Sequence, residues 1–236
     1  MVQDTYKRVR FYGETTLGGN NSRVSVADHA SLNPVDAITV IARIYMNPAD
    51  KIMQGNNKGI VSKSNGGGGD GMCWMEYNDS GGAYNRCFRF VVTGTDCYSL
   101  DTVKEAGWYH VVGTFDRTLG SNQIRIYQNS VRVAVATRAV AMVANALNVV
   151  IGGIATGSWM MKGYISEVQI YNRALSEDEV NYNYLHPNNP KRRGLVLNLT
   201  QDSIYGTQWQ DLSGNANHGT YLGGAVPVTA NILAGR

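Results

Sequence analysis

Breaking a covalent bond at neutral pH takes a small set of side chains held together, so the carboxylates, histidines and cysteines come first. Hydrolysis of a glycosidic bond needs two carboxyl groups flanking it. On a strand such a pair must occupy alternating positions to share a face. Glu76 and Asp79 are three apart at the end of a strand-like run, so they point to opposite sides. Glu177, Asp178 and Glu179 are accounted for by the start of a helix, where negative charge is stabilised by the dipole. His29, His110, His186 and His218 form no metal pair and have no nucleophile nearby; His110, between Tyr109 and Val111, reads as an ordinary strand histidine. The chain is therefore expected not to be an enzyme. Gly66, Gly68 and Gly71 satisfy G-x-G-x-x-G, but residues 72–77 read as a strand. A dinucleotide site needs a helix there, so the glycines are read as a loop.

Two binding chemistries remain. Calcium takes six to eight oxygens from carboxylates, amides and carbonyls on loops. Asp211, Asn215 and Asn217 offer such a set among glycines, and an Asx turn closing a hairpin is the competing reading. Sugar rings need exposed aromatic faces beside polar acceptors. Trp159, in a loop after Ala155-Thr156-Gly157-Ser158, is the first candidate, followed by Tyr77 and Tyr84 on either side of the turn at 78–82. Trp74 and Trp108 sit within alternating strands and are read as core.

The elements that must position these residues are mostly strands. Residues 38–46 are β-branched at alternating positions, which marks a central strand. Residues 6–11 form an opening strand, 59–63 and 96–100 add short ones, and hairpins pair 72–78 with 85–92 and 123–127 with 131–136. In the second hairpin, Asn129 can adopt the positive φ that a tight turn demands. Val168 and Ile170 alternate with Glu167, Gln169 and Tyr171, and Ser176 with Glu179 then spells a capping box. One short helix over 176–185 follows, ended by Pro187. The chain of 236 residues has 27 glycines and only 17% charged residues, as suits many strands joined by tight turns. A net charge of +3 is too mild to imply nucleic acid. No apolar run reaches the ~20 residues of a membrane-spanning helix, so no membrane insertion is expected. Met1-Val2-Gln3-Asp4-Thr5 carries no secretory apolar region, so no signal peptide is expected in this chain. The three cysteines, Cys73, Cys87 and Cys97, are odd in number. Three buried thiols is preferred over a Cys73–Cys87 bridge across the first hairpin.

Residues 163–176 resemble the closing segment of laminin G-like, concanavalin A-like lectin/glucanase domains, Gly-x-Ile-Asp-Glu-Val-x-Ile-Tyr-Asn-Arg-Ala-Leu-Ser, at nearly every position. The departure is Ser166, where the family usually has Asp. Val24, Val26, Asp28 and Leu32 match the family's usual opening, and Trp108, His110, Val111, Thr114, Phe115 and Asp116 match its "Trp-x-His-Val-x-x-Thr-Phe-Asp" strand. The resemblance implies an all-β fold, a two-sheet antiparallel jelly-roll sandwich. The superfamily's glucanases carry Glu-x-Asp-x-x-Glu on one strand, a string missing here. Relatives that bind calcium do so near the edge of residues 211–217.

Residues 1–186 thus form the jelly roll and 187–193 a linker. Residues 211–219 resemble a loop, "Asp-x-Ser-Gly-Asn-x-Asn-His-Gly", that in the family precedes the Val24–Val26 strand rather than following everything. A segment as short as 194–236 cannot make a sandwich alone. It either completes the same sandwich, as a permutation, or docks on a neighbouring copy by strand addition. The functional expectation is a non-catalytic lectin-like adhesion module on an extracellular or virion surface, recognising a carbohydrate or glycoprotein. It is expected to be a homo-oligomer or to sit among neighbouring assembly proteins. The alternative is a structural or decoration protein of a virion or other assembly with no sugar ligand, and a glycosidase stands last.

Overall fold

Alternation builds the core strand by strand. In the computed structural model, which describes residues 5–12, 21–49, 55–66, 72–79, 85–100 and 102–231, strand β3 (Ala37–Met46) sends Ile38, Val40, Ala42, Ile44 and Met46 into the core and turns Thr39, Arg43 and Tyr45 outward. Its neighbour β8 (Gly107–Asp116) sends in Tyr109, Val111 and Phe115. Gly113 completes that inward set because Phe90 from the opposite sheet fills its place; a methyl there would stand 2.4 Å from the ring.

The first sheet runs β10 (Val131–Ala136), β9 (Ile124–Gln128), β8, β3, β12 (Lys162–Tyr171), β1 (Thr5–Tyr12) and β17 (Val226–Asn231), and β13 (Leu195–Thr200) also pairs with β12. The second runs β14 (Ile204–Tyr205), β15 (Gln208–Trp209), β16 (Gly219–Leu222), β2 (Arg23–Val26), β11 (Val149–Ile151), β4 (Gly55–Ser62), β5 (Cys73–Asp79), β6 (Cys87–Val92) and β7 (Thr95–Tyr98). All strand pairings are antiparallel, which is the two-sheet sandwich that the resemblance implies. The β9–β10 hairpin turns through Asn129 and Ser130 at φ 50° and 69°, a two-residue loop with both φ positive.

Residues 195–231 join both sheets of their own chain. β13 runs along β12 from Tyr171 to Glu167, β1 continues the same edge from Ile165 to Lys162, β16 pairs with β2, and β17 pairs with β1.

Helix α1 (Glu177–Leu185) lies on the outer face of the first sheet, over a small second core of Ile41, Val112, Tyr127, Tyr171, Leu175, Val180 and Leu195. Its start is the capping box: Ser176 Oγ accepts from Glu179 N at 3.2 Å, and Glu179 accepts from Ser176 N at 3.0 Å. Arg173 grips the same Glu179 through two hydrogen bonds of 2.7 Å. Among the described residues no helix is long and apolar enough to cross a membrane.

The three cysteines are buried and none is in a disulfide. Cys73 faces the core opposite Val92, whereas Cys87 pairs with Asn78, an outward position. The two sulfurs lie on opposite faces of the hairpin and five residues out of register, which is why they do not bridge.

Candidate functional site: an aromatic row across the first sheet

Register places four outward side chains in one line across four neighbouring strands. Trp108 of β8 is paired with Tyr45 of β3, Tyr45 with Tyr164 of β12, and Tyr164 with Arg10 of β1. Tyr45 meets Trp108 edge to face with centroids 5.7 Å apart, and Tyr164 at a tilt with centroids 5.9 Å apart. Trp108 is the open end, 38% exposed. Arg8 reaches across from β1, its guanidinium 4.0 Å from the Tyr164 ring centre and 5.9 Å from that of Trp108, while Arg10 stands 5.7 Å from Tyr164. Gly163 makes the row possible. At φ 148° it brings β12 so close to β3 that a side chain would stand 2.1 Å from the Tyr45 carbonyl oxygen.

This corrects the reading of Trp108 as core. Its partner in the alternation, Tyr109, takes the inward place with Val111 and Phe115. Tyr45 and Tyr164 carried no local signal; only the register of β3, β8 and β12 shows that they share a line.

The sequence candidates fall elsewhere. Tyr77 is fully buried and packs on Phe88 at 6.5 Å inside the sandwich, so it cannot stack on a ligand. The reason is that β5 extends through Asp79, which keeps Tyr77 in the inward register of Cys73 and Met75. Tyr84 and the side chain of Trp74 lie outside the described residues. Trp159 is half-buried beside the second sheet, at φ 54°; its carbonyl accepts from Gly59 N at 2.7 Å and its ring lies against Gly66. It is therefore not part of the row.

Asp211, Asn215 and Asn217 do share one loop. Asp211 Oδ1 accepts from Asn198 N (2.8 Å) and Ser213 N (2.9 Å), and Oδ2 from Ser213 Oγ (2.7 Å) and Asn217 N (2.9 Å). Asn215 Nδ2 donates to Ser213 Oγ (3.0 Å), and Asn217 Nδ2 to Val196 O (2.8 Å). Four donors already face the carboxylate a cation would need. As arranged, these residues close a loop onto β13.

Between the row and helix α1 lies a buried polar chain. Arg43 binds Glu167 Oε2 at 3.2 Å and donates to Tyr184 O at 3.1 Å. Gln169 donates to Glu167 Oε1 at 2.5 Å, and Asn183 of the helix donates to Tyr171 Oη at 2.8 Å and Gln169 Oε1 at 3.2 Å. Burial pushes the Glu167 carboxyl up to about 7 against the pull of Arg43. Burial, with Arg43 adding to it, holds His110 down at about 3, against the Tyr184 ring at 5.3 Å. On the second sheet, one guanidinium, Arg89, binds both Glu76 (2.6 Å) and Asp96 (2.7 Å).

The model of one family, described as the concanavalin A-like lectin/glucanases superfamily, matches residues 18–181. The chain belongs to that superfamily. No curated protein matches the chain in sequence. Among solved structures, a Bacteroides ovatus protein to which carbohydrate binding is ascribed is similar over 97% of this chain, with a TM-score of 0.73 and 20% identity. The chain covers 60% of that protein's length. A native heptameric SAP-like pentraxin from Limulus polyphemus is similar over 96% of this chain and 92% of its own, with a TM-score of 0.56 and 15% identity. Identities this low speak to the superfamily fold alone.

Proposed function

We propose that this chain is a non-catalytic, lectin-like carbohydrate-binding module, displayed on an extracellular or virion surface, with the aromatic row as its sugar platform. The observation that carries this is the line Trp108–Tyr45–Tyr164, set across adjacent strands and open at Trp108. A ring-sized aromatic surface at the end of a rigid sheet offers the apolar face of a pyranose a preformed contact. The carbohydrate binding ascribed to the Bacteroides ovatus protein supports the reading as analogy of fold. A non-catalytic role is supported by the engagement of the buried carboxylates: Glu76 is bound by Arg89, which also holds the exposed Asp96, and Glu167 stands under the helix with Arg43. Glycan binding by the intact chain tests the proposal. Trp108→Ala is expected to weaken it at least tenfold, by loss of a stacking contact of about 1.5 kcal/mol or more. Unchanged binding in that variant, or turnover of a polysaccharide, would sink it.

A second reading, a sugar-indifferent building block, draws on the outermost strand of the first sheet. β10 is an edge, with Val131 63% and Val135 44% exposed. Uncovered apolar edges invite pairing with another copy. A stable oligomer in solution that Val131→Lys dissociates, with no glycan binding, would favour it.

A further inference from the structure

Five arginines of the described chain are matched to acids: Arg43 to Glu167, Arg89 to Glu76 and Asp96, Arg117 to Asp36, Arg132 to Glu177 and Arg173 to Glu179. Arg8 is not one of these five. Among the described residues no carboxylate pairs with it, and its Nε is shut off from solvent with no hydrogen-bond partner. What holds it is the row, with the Tyr164 ring 4.0 Å away and the Trp108 ring 5.9 Å away. Ring faces attract a guanidinium but leave its N–H fork unfilled. A planar fork set against an exposed indole suits an oxyanion attached to something flat and partly apolar. Arg10, exposed at the end of the same line, adds positive charge on that side.

We propose that the ligand of the row is a glycan bearing an acidic group, either a sugar carboxylate or a sulfate ester. The acid oxygens pair with Arg8 and the pyranose ring covers Trp108. This rests on the sugar-platform reading above and narrows it to a substrate class.

The test is an array of neutral, uronate-containing, sialylated and sulfated glycans, followed by titration of the best hits with the full chain and its variants. Binding is expected only among acidic members; hits confined to carboxylates or to sulfate esters identify the source of the oxyanion. Arg8→Gln is expected to weaken the best acidic hit about tenfold, Arg8→Lys less, and Arg10→Gln, at an exposed position, about twofold. Each variant's circular dichroism spectrum and melting temperature check its fold. Should Arg8→Gln unfold, the charge-specific loss must still appear in Arg10→Gln and in the fall of affinity with added salt. Neutral glycans bound as tightly as acidic ones, with Trp108→Ala still abolishing binding, would overturn the acidic class and keep the platform. No glycan bound at all, or binding indifferent to Trp108→Ala, would overturn both. Oligothymidylate or polyacrylate bound as tightly as the best glycan would overturn both as well, since the face would then read charge without sugar.

Discussion

Two buried residues on the helix side of the first sheet oppose each other in their response to pH. Glu167 has a folded pKa of about 7, above its ordinary 4.5, so between these values the folded chain holds a proton the unfolded chain has lost. Stability therefore falls as pH rises through that window, by at most about 1.4 kcal/mol per pH unit. His110 has a folded pKa of about 3, below its ordinary 6.5, so there the unfolded chain holds the extra proton and stability rises with pH. From about 4.5 to 6.5 the two slopes cancel. Thermal melts of variants separate them: Glu167→Gln should show stability rising towards pH 6.5, and His110→Phe should show it falling from pH 4.5 to 7. Identical pH profiles for the wild type and both variants would refute this coupling. His110→Phe should also cost little at neutral pH, because neither ring nitrogen has a hydrogen-bond partner to lose. At this scale the sequence was a partial guide. It marks His110 as a strand residue, which matches the structure, but it puts Trp108 inside and Tyr77 outside, the reverse of what the structure shows. Each error comes from parity: in a strand where neighbours are both aromatic, or where a turn lies close, composition does not say which residue faces in, and register does.

Elements were more legible than residues. The closing strand and its helix were written in 163–185 by alternation and then by a capping box, and both are present as β12 and α1. The capping box is a separable contribution: Ser176→Ala should lower stability by about 1 kcal/mol, read as a drop in melting temperature. What alternation could not show is the irregularity in β12. Register against β3 slips between Ile165 and Glu167, leaving Ser166 as the extra residue, and so Tyr164 and Glu167 both face outward. The bulge splits one outer face into two territories, the aromatic row on one side and the polar chain under α1 on the other. Gly163 stands at the start of the first territory, and its substitution tests whether the row depends on the close approach of β12 and β3. Gly163→Ala should cost 1–3 kcal/mol or more by steric conflict with the Tyr45 backbone, and should weaken glycan binding even though no row side chain is changed. Loss of stability with full binding would detach the row's function from that approach.

For the whole molecule, residues 194–236 posed a question that motif order raised without deciding: a loop resembling one that the superfamily places first comes last here. Strand pairing in the structure joins its described part, residues 195–231, to its own chain. β13 and β1 share one edge of β12 end to end, so that edge is assembled from opposite ends of the sequence, and β17 then flanks β1. Leu197, Leu199 and Trp209 are fully buried in the same core as Val24 and Ile165. Removing them would open several cavities at once, each costing about 2–5 kcal/mol for a leucine and 3–5 for a tryptophan. Stability of a domain this size is typically only 5–15 kcal/mol. A chain ending at His186 is therefore expected to be unfolded even when dilute, with the circular dichroism spectrum of a disordered chain. A segment reaching instead onto a neighbouring copy would leave a folded but smaller particle after the same cut. Sedimentation together with the spectrum distinguishes these results: a folded, lower-mass species would show that the tail serves an assembly rather than its own sandwich.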